Sequence, residues 1–305
     1  MLKVCVFGSL EIQRIDLEGR TDAVILSGRP ATMFAYLALA RGQYFNRNDL
    51  MAALWAERAD AATAGTFNTT LWRLRRALEC APYRSGELIA SARSGPIGLH
   101  RTDAMQLDIE EFSQLVAPAL RKSLEQMDAA DIEGLRRGVQ LYKADILLNL
   151  KDEWALRERE KYRRVYLNAL GRLVQVHSLT GDYTAAIRYA QAILDCDALR
   201  EDVHRELMRL LVRNGQRALA LRQFELCRAL LKRELAIHPM RETVSVYQEI
   251  ANSAVATGSG MPLASADRPE VIPEDLVARD LLAHARAHLA HADQDLRMTI
   301  ELLER

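Results

Sequence analysis

Two segments of the chain repeat each other at a fixed distance, and that repeat limits the fold more than any other feature. "GDYTAAIRYAQAIL" begins at Gly181 and "GQRALALRQFELCRALL" begins at Gly215, an offset of 34 residues. Gly181 falls in register with Gly215, and Ala186 with Ala220. An amphipathic stretch precedes each glycine, "LGRLVQVHSLT" in one case and "VHRELMRLLVRN" in the other. Glycine closes the turn between paired helices, and alanine lets them approach closely. One such pair cannot bury its own apolar face, so neighbouring pairs must stack.

A period of 34 residues in paired helices is that of tetratricopeptide repeats. From about Leu107 to Ala251 the chain is expected to be almost wholly helical, with an irregular helical bundle as the alternative to stacked repeats. The chain is 49% hydrophobic, 27% charged and 6% aromatic, which suits a helix-rich globular protein and excludes a disordered one.

The first ~105 residues follow another pattern. "KVCVFG", "LEIQRI" and "AVILS" are short, β-branched and separated by turn signals, so residues 1–27 are expected to form strands. "RPATMFAYLALARGQ" places Phe34, Leu37 and Leu39 near helical spacing and stops at Gly42. "NRNDLMAALWAE" starts a second helix with polar caps at Asn46 and Asn48. "AGTFNTTLWRLRRALE" is the third. "ELIAS" and "PIGLH" then form a small hairpin with Gly95 at its tip. Three helices ending in a β-hairpin make a winged helix, a helix-turn-helix variant.

In the third helix Phe67, Leu71, Leu74 and Leu78 form one buried stripe. At about 100° per residue the far side carries Thr69, Trp72, Arg73 and Arg76, flanked by Asn68 and Arg75. Arginine, asparagine and threonine suit the acceptors and donors of a major groove and its phosphates. Between Phe67 and Arg101 there are six arginines and two glutamates, inside a chain of zero net charge. "RLRRALE" taken alone also fits a solvated helix face; its place between a capped helix and a hairpin favours DNA. Trp72 on the outward face could touch thymine methyls or stack against sugars, but it is expected to pack on the wing or the preceding helix.

"FGSLEI", "NRNDLMAALW", "LWRLRRALE", "LYKADILLNLKDEWALREREKYRRVYLNAL", "HRELMRLLVRNGQRALALRQFELCRALLKREL" and "HPMRETVSVYQEI" occur in that order. By these motifs residues 1–251 resemble the antibiotic-regulatory-protein type of bacterial transcriptional regulator. That type joins a response-regulator-like winged helix to a bacterial transcriptional activator domain of tetratricopeptide-like helices. The resemblance implies a mainly α chain with an N-terminal α+β winged helix at 1–105 and a repeat domain at 106–251. It implies a DNA-binding activator that acts as a homodimer on double-stranded promoter repeats and contacts RNA polymerase; the cysteine usage and the lack of a signal peptide or bilayer span lead to the expectation of a cytoplasmic protein. Thr66, Asn68, Thr69, Arg73 and Arg76 fall on its recognition-helix positions and Arg93 in its wing; residues 55–65 match the loop that faces polymerase. A receiver domain before the winged helix is not expected, nor an ATPase module after it, since "TGSG" at 257–260 lacks the lysine of GxxxxGK[ST]. The alternative function is a helical-repeat adaptor whose winged helix has lost DNA binding.

Residues 252–273 are rich in Gly, Ser, Ala and Pro and read as a linker, and 274–305 as a helical tail. His284, His288 and His291 share one side of that tail; they are candidates for metal or for joint protonation below about pH 6.5. The plainer reading is a docking helix built on Leu281, Leu282, Leu289, Met298 and Ile300. No HExxH, GxSxG or GxGxxG occurs, and "DEWALRERE" interleaves its acids with arginines, so neither an enzyme nor a cofactor is expected. Cys5, Cys80, Cys196 and Cys227 lack CxxC spacing and are expected to be reduced, mostly core thiols. The N-terminal apolar run breaks at Gly8 without a cleavage signal, and no stretch approaches a bilayer span, so neither a signal peptide nor a membrane segment is expected.

Overall fold

The computed structural model describes residues 1–16, 18–56, 63–91 and 95–252. Arg93, the linker at 252–273 beyond Asn252, the tail at 274–305 with its three histidines, and residues 57–62 of the expected polymerase-facing loop lie outside the described residues. The chain divides into two compact units, residues 1–119 with 128–166, and residues 120–127 with those from 167 onward. The domain boundary expected at 105/106 thus falls inside the first unit.

The first unit opens with strands β1 (Leu2–Cys5), β2 (Glu11–Ile15) and β3 (Thr21–Ala23). Leu2, Val4 and Val6 are fully buried and Lys3 is exposed, the period-two alternation of a strand with one covered face. The third strand was expected at "AVILS". It ends instead at Ala23, and Ile25 is 87% exposed. Register explains the shift: β3 runs back along β2, with Ile15 opposite Thr21 and Gln13 opposite Ala23. β6 (Met105–Leu107) was not expected; it pairs parallel with β1 and completes a sheet of order β3-β2-β1-β6. Asp108 follows β6, and its carboxylate accepts the backbone N–H of Val6 at 2.9 Å and of Phe7 at 3.1 Å. A strand of three residues gains little by itself, so this side-chain clamp helps hold the parallel pair together.

Helices α1 (Arg29–Leu39), α2 (Arg47–Leu54) and α3 (Ala64–Leu78) follow as expected, except that Asn46 at the N-cap of α2 forms no side-chain cap hydrogen bond and Asn48 lies inside that helix. Met33, Phe34 and Leu37 from α1, Leu50 and Leu54 from α2, and Phe67 and Leu74 from α3 are 0–1% exposed and form the core of this part. Burying side chains of this size contributes about 1.5–3 kcal/mol each. The hairpin comprises β4 (Ile89–Ser91) and β5 (Ile97–Leu99), antiparallel with Ile89 opposite Leu99. Helices α4 (Asp108–Arg121), up to Ala119, α5 (Ala129–Leu141) and the first half of α6 (Glu153–Leu179) also belong to this unit. There Phe7, Phe112, Tyr142 and Tyr162 form an aromatic cluster, and Tyr142 stacks on Tyr166 with centroids 3.9 Å apart.

The second unit contains the rest of α6, then α7 (Tyr183–Cys196), α8 (Glu201–Arg213), α9 (Arg217–Leu235) and α10 (Arg241–Asn252). α7 packs on α8 and α8 on α9, and α10 packs on both α8 and α9. Gly181 has φ +78° and Gly215 φ +73°, each in the turn that joins two helices. An L side chain strains in that left-handed region, so both repeat positions call for glycine. Ala186 and Ala220 are both fully buried. The 34-residue period therefore marks equivalent turns and equivalent close-packed alanines.

Of the four free cysteines, Cys227 is buried, Cys5 and Cys196 are partly covered, and Cys80 is exposed. The expectation of mostly core thiols is thus corrected: Cys80 lies just past the end of α3, beyond its apolar stripe. Burial pushes the Cys227 thiol up to about 11.

Candidate nucleic-acid interface

Helix α3 is started by its own side chains. Thr63 is the N-cap, and its hydroxyl accepts the Thr66 N–H at 3.1 Å. The Thr66 hydroxyl accepts the Thr63 N–H at 3.1 Å, closing a reciprocal cap. Such a cap stabilises a helix start by about 1 kcal/mol. It also fixes where the helix begins, and hence which residues face outward.

Phe67, Thr70, Leu71, Leu74 and Leu78 are buried; Thr66, Asn68, Thr69, Trp72, Arg73 and Arg76 are exposed. The expected stripe and the expected outer face are both present. Trp72 departs from expectation. It is 56% exposed, and the Arg76 guanidinium lies over its ring, 5.1 Å from the centroid. The apolar stripe already fills the space toward the core, and Trp72 sits on the opposite arc of the helix.

The three arginines of α3 have different surroundings. Arg75 turns inward: its Nη2 donates to the Ile89 carbonyl at 3.1 Å, and its Nε lies 3.3 Å from Oε2 of Glu79. Arg73 and Arg76 form no ion pair among the described residues. Their charge faces outward with no carboxylate paired to it among the described residues, on a chain of zero net charge. Such a local, uncompensated pair of guanidinium groups suits anionic phosphates and base-edge acceptors.

Asn68 is joined to the helix before it. Nη1 of Arg47, the first residue of α2, donates to the Asn68 side-chain oxygen at 2.6 Å, and the Arg47 guanidinium lies 5.5 Å from the Phe67 ring centroid. Arg47 was not singled out from sequence. The available signal was a cation at the first helical position, where the helix dipole disfavours it and a different partner is needed.

The hairpin is anchored from below. The Glu79 side chain is 1% exposed. Its carboxylate accepts N–H groups from Gly86 at 3.0 Å, Leu88 at 3.1 Å and Ile89 at 2.8 Å. In the sequence Glu79 enters only as one of the two glutamates between Phe67 and Arg101; the structure makes it the peg on which the hairpin root hangs. On the other side β5 meets the α1–α2 connection, with Phe45 and Ile97 exchanging backbone hydrogen bonds at 2.9 and 2.8 Å. A Cβ at Gly98 would come within 2.3 Å of the Gln43 carbonyl oxygen, so this close approach needs glycine.

Among the described residues no group of three or more His, Cys, Asp or Glu could hold a metal ion, and no helix is long and apolar enough to cross a membrane.

Residues 107–251 match the family model of the bacterial transcriptional activator domain. The chain is similar to the regulatory protein AfsR of Streptomyces coelicolor, 26% identical over 276 residues, covering 88% of this chain and 27% of AfsR. It is also similar to the transcriptional regulatory protein MoaR1 of Mycobacterium tuberculosis, 23% identical over 252 residues, covering 80% of this chain and 78% of MoaR1. The chain thus spans about a quarter of the length of AfsR and most of that of MoaR1. Among solved structures, Mycobacterium tuberculosis EmbR in complex with a low-affinity phosphopeptide superposes with a TM-score of 0.65 at 17% identity, covering 86% of this chain and 66% of that one. The likeness to EmbR is one of fold, a winged helix followed by a helical domain.

Proposed function

We propose, for a chain whose residues 107–251 match the family model of the bacterial transcriptional activator domain, that it is a sequence-specific DNA-binding regulator of promoters. Helix α3 enters the major groove with Thr66, Asn68, Thr69, Arg73 and Arg76, and the hairpin brings Arg93 to the adjacent minor groove. Arginine–phosphate contacts set the register; base edges met by α3 set the sequence. The protein acts in the cytoplasm as a homodimer on repeated half-sites and activates by contacting RNA polymerase. The repeat domain offers a surface for self-association, a partner protein or an effector.

The observation that carries this reading is the division of the α3 arginines. Arg75 is held inward by Glu79, whereas Arg73 and Arg76 are exposed without an acidic partner among the described residues. A helix face that served only solubility would need no such division.

The test is capture of sheared genomic DNA by the purified protein at two salt concentrations, followed by sequencing. Enrichment of a small set of promoter-proximal sequences, with affinity falling steeply as salt rises, is the expected result. Capture without sequence enrichment, or no capture at either salt, overturns the reading and favours the adaptor.

A further inference from the structure

We propose that Trp72 and Arg76 act as one reading element for a thymine–guanine step in the major groove. This rests on the reading that α3 enters that groove, and it adds which bases one part of the helix selects.

Trp72 precedes Arg76 by four residues, one helical turn, so the two side chains are neighbours on the outer face. Trp72 is 56% exposed although every other large apolar residue of α3 is buried. The Arg76 guanidinium carbon lies 5.1 Å from the Trp72 ring centroid, within cation–π distance. This contact differs from an ion pair in one useful way. A carboxylate neutralises an arginine and uses its N–H donors; an aromatic face restrains the guanidinium while leaving both its charge and its in-plane donors available. Arg75, four residues before Glu79, shows the other arrangement on the same helix.

An outward, restrained guanidinium matches the O6 and N7 acceptors of guanine, the commonest partner of arginine in the major groove. The indole beside it supplies an apolar surface with little else to meet there. Among the major-groove edges only thymine offers an apolar group, its C5 methyl. With Trp72 and Arg76 adjacent, the bases they meet are adjacent too. Thr69 and Arg73 flank the pair on the same exposed face and supply a hydroxyl and a second cation.

The experiment is a selection from randomised duplexes with the full chain, comparing wild type with Trp72→Phe, Trp72→Ala and Arg76→Lys. Binding to the selected site is then measured with each thymine replaced by uracil, which removes only the methyl group. Wild type is expected to select a site containing a thymine–guanine step and to lose about three- to tenfold in affinity on uracil substitution at that thymine. Trp72→Phe keeps the preference. Trp72→Ala loses the thymine preference, weakens the guanine preference about tenfold and no longer responds to uracil. Arg76→Lys loses the guanine preference and keeps the response to uracil. Trp72→Ala with an unchanged selected site, or wild type indifferent to uracil at every thymine, overturns this inference and leaves DNA reading by α3 standing. A wild-type protein that selects no sequence overturns both. An unchanged urea midpoint for Trp72→Ala identifies a change in selection as a change in reading.

Discussion

Nε of Arg75 lies 3.3 Å from Oε2 of Glu79, one turn further along α3, and this pair sets Arg75 apart from the exposed Arg73 and Arg76. Arg75 serves the domain, and Glu79 ties α3 to the hairpin through three backbone N–H groups. Arg73 and Arg76, on the other arc of the helix, remain available to an outside partner.

Glu79 is therefore expected to be a stability residue. Glu79→Ala leaves three hairpin N–H groups and the Arg75 cation without their acceptor, a loss of about 3 kcal/mol or more. Urea unfolding followed by tryptophan fluorescence measures it. Glu79→Gln keeps an acceptor and loses less. A change below about 0.5 kcal/mol for the alanine variant contradicts the anchoring role.

Arg73 and Arg75 are expected to fail differently. Arg73→Ala leaves the unfolding midpoint unchanged, weakens DNA binding and reduces the slope of log affinity against log salt by about one unit, as the loss of one phosphate contact requires. Arg75→Ala lowers the midpoint instead. Equal affinity and equal slope for Arg73→Ala remove it from the interface.

The repeat turns have a separate signature. Replacing Gly181 or Gly215 with alanine adds a Cβ that meets nothing within 4 Å, so the cost comes from the backbone alone, at φ +78° and +73°. About 1–2 kcal/mol is expected for each. Asparagine, which tolerates the left-handed region, costs less at both positions. Thermal unfolding of the four single variants checks the order; alanine and asparagine that behave alike disprove it.

His204 makes the repeat domain sensitive to acid. It is 1% exposed, with Nε2 3.0 Å from the Ala198 carbonyl and Nδ1 2.7 Å from the Gln223 side-chain nitrogen. These contacts suit a neutral ring that donates from Nε2 and accepts at Nδ1. Burial lowers its pKa below the ordinary histidine value. The unfolded chain therefore takes up this proton first, and its contribution to stability is full above about pH 6.5 and declines as the pH falls below that. Urea midpoints from pH 8 to 5 are expected to fall less steeply in His204→Gln than in wild type. Parallel profiles would assign the acid sensitivity to other groups.

Much of this was legible in the sequence because local patterns carry it. Helical spacing located α1 and α3, a polar start located α2, and the apolar spacing in α3 identified its buried face residue by residue. The 34-residue offset found both left-handed glycines and both buried alanines, since equivalent turns demand the same small residues. β6 was not legible: three residues carry too little pattern, and a parallel partner about a hundred residues away leaves no local trace. The shifted β3 has the same origin, because pairing with β2 rather than apolar content set its limits. Arg47, Glu79 and Trp72 were misjudged or missed because a polar or amphipathic side chain takes its role from what surrounds it.

The sequence by itself determined where helices form, which faces they bury and that the second half repeats, because hydrophobic periodicity and glycine stereochemistry act over a few residues. The tertiary structure alone decided the assignment of charge. Arg73, Arg75 and Arg76 are alike in sequence, but burial of Glu79 under the hairpin root takes one of them inward, and the filled core leaves Trp72 outside beneath another. Electrostatic partners are chosen by proximity in space and by access to water, and neither can be read along the chain.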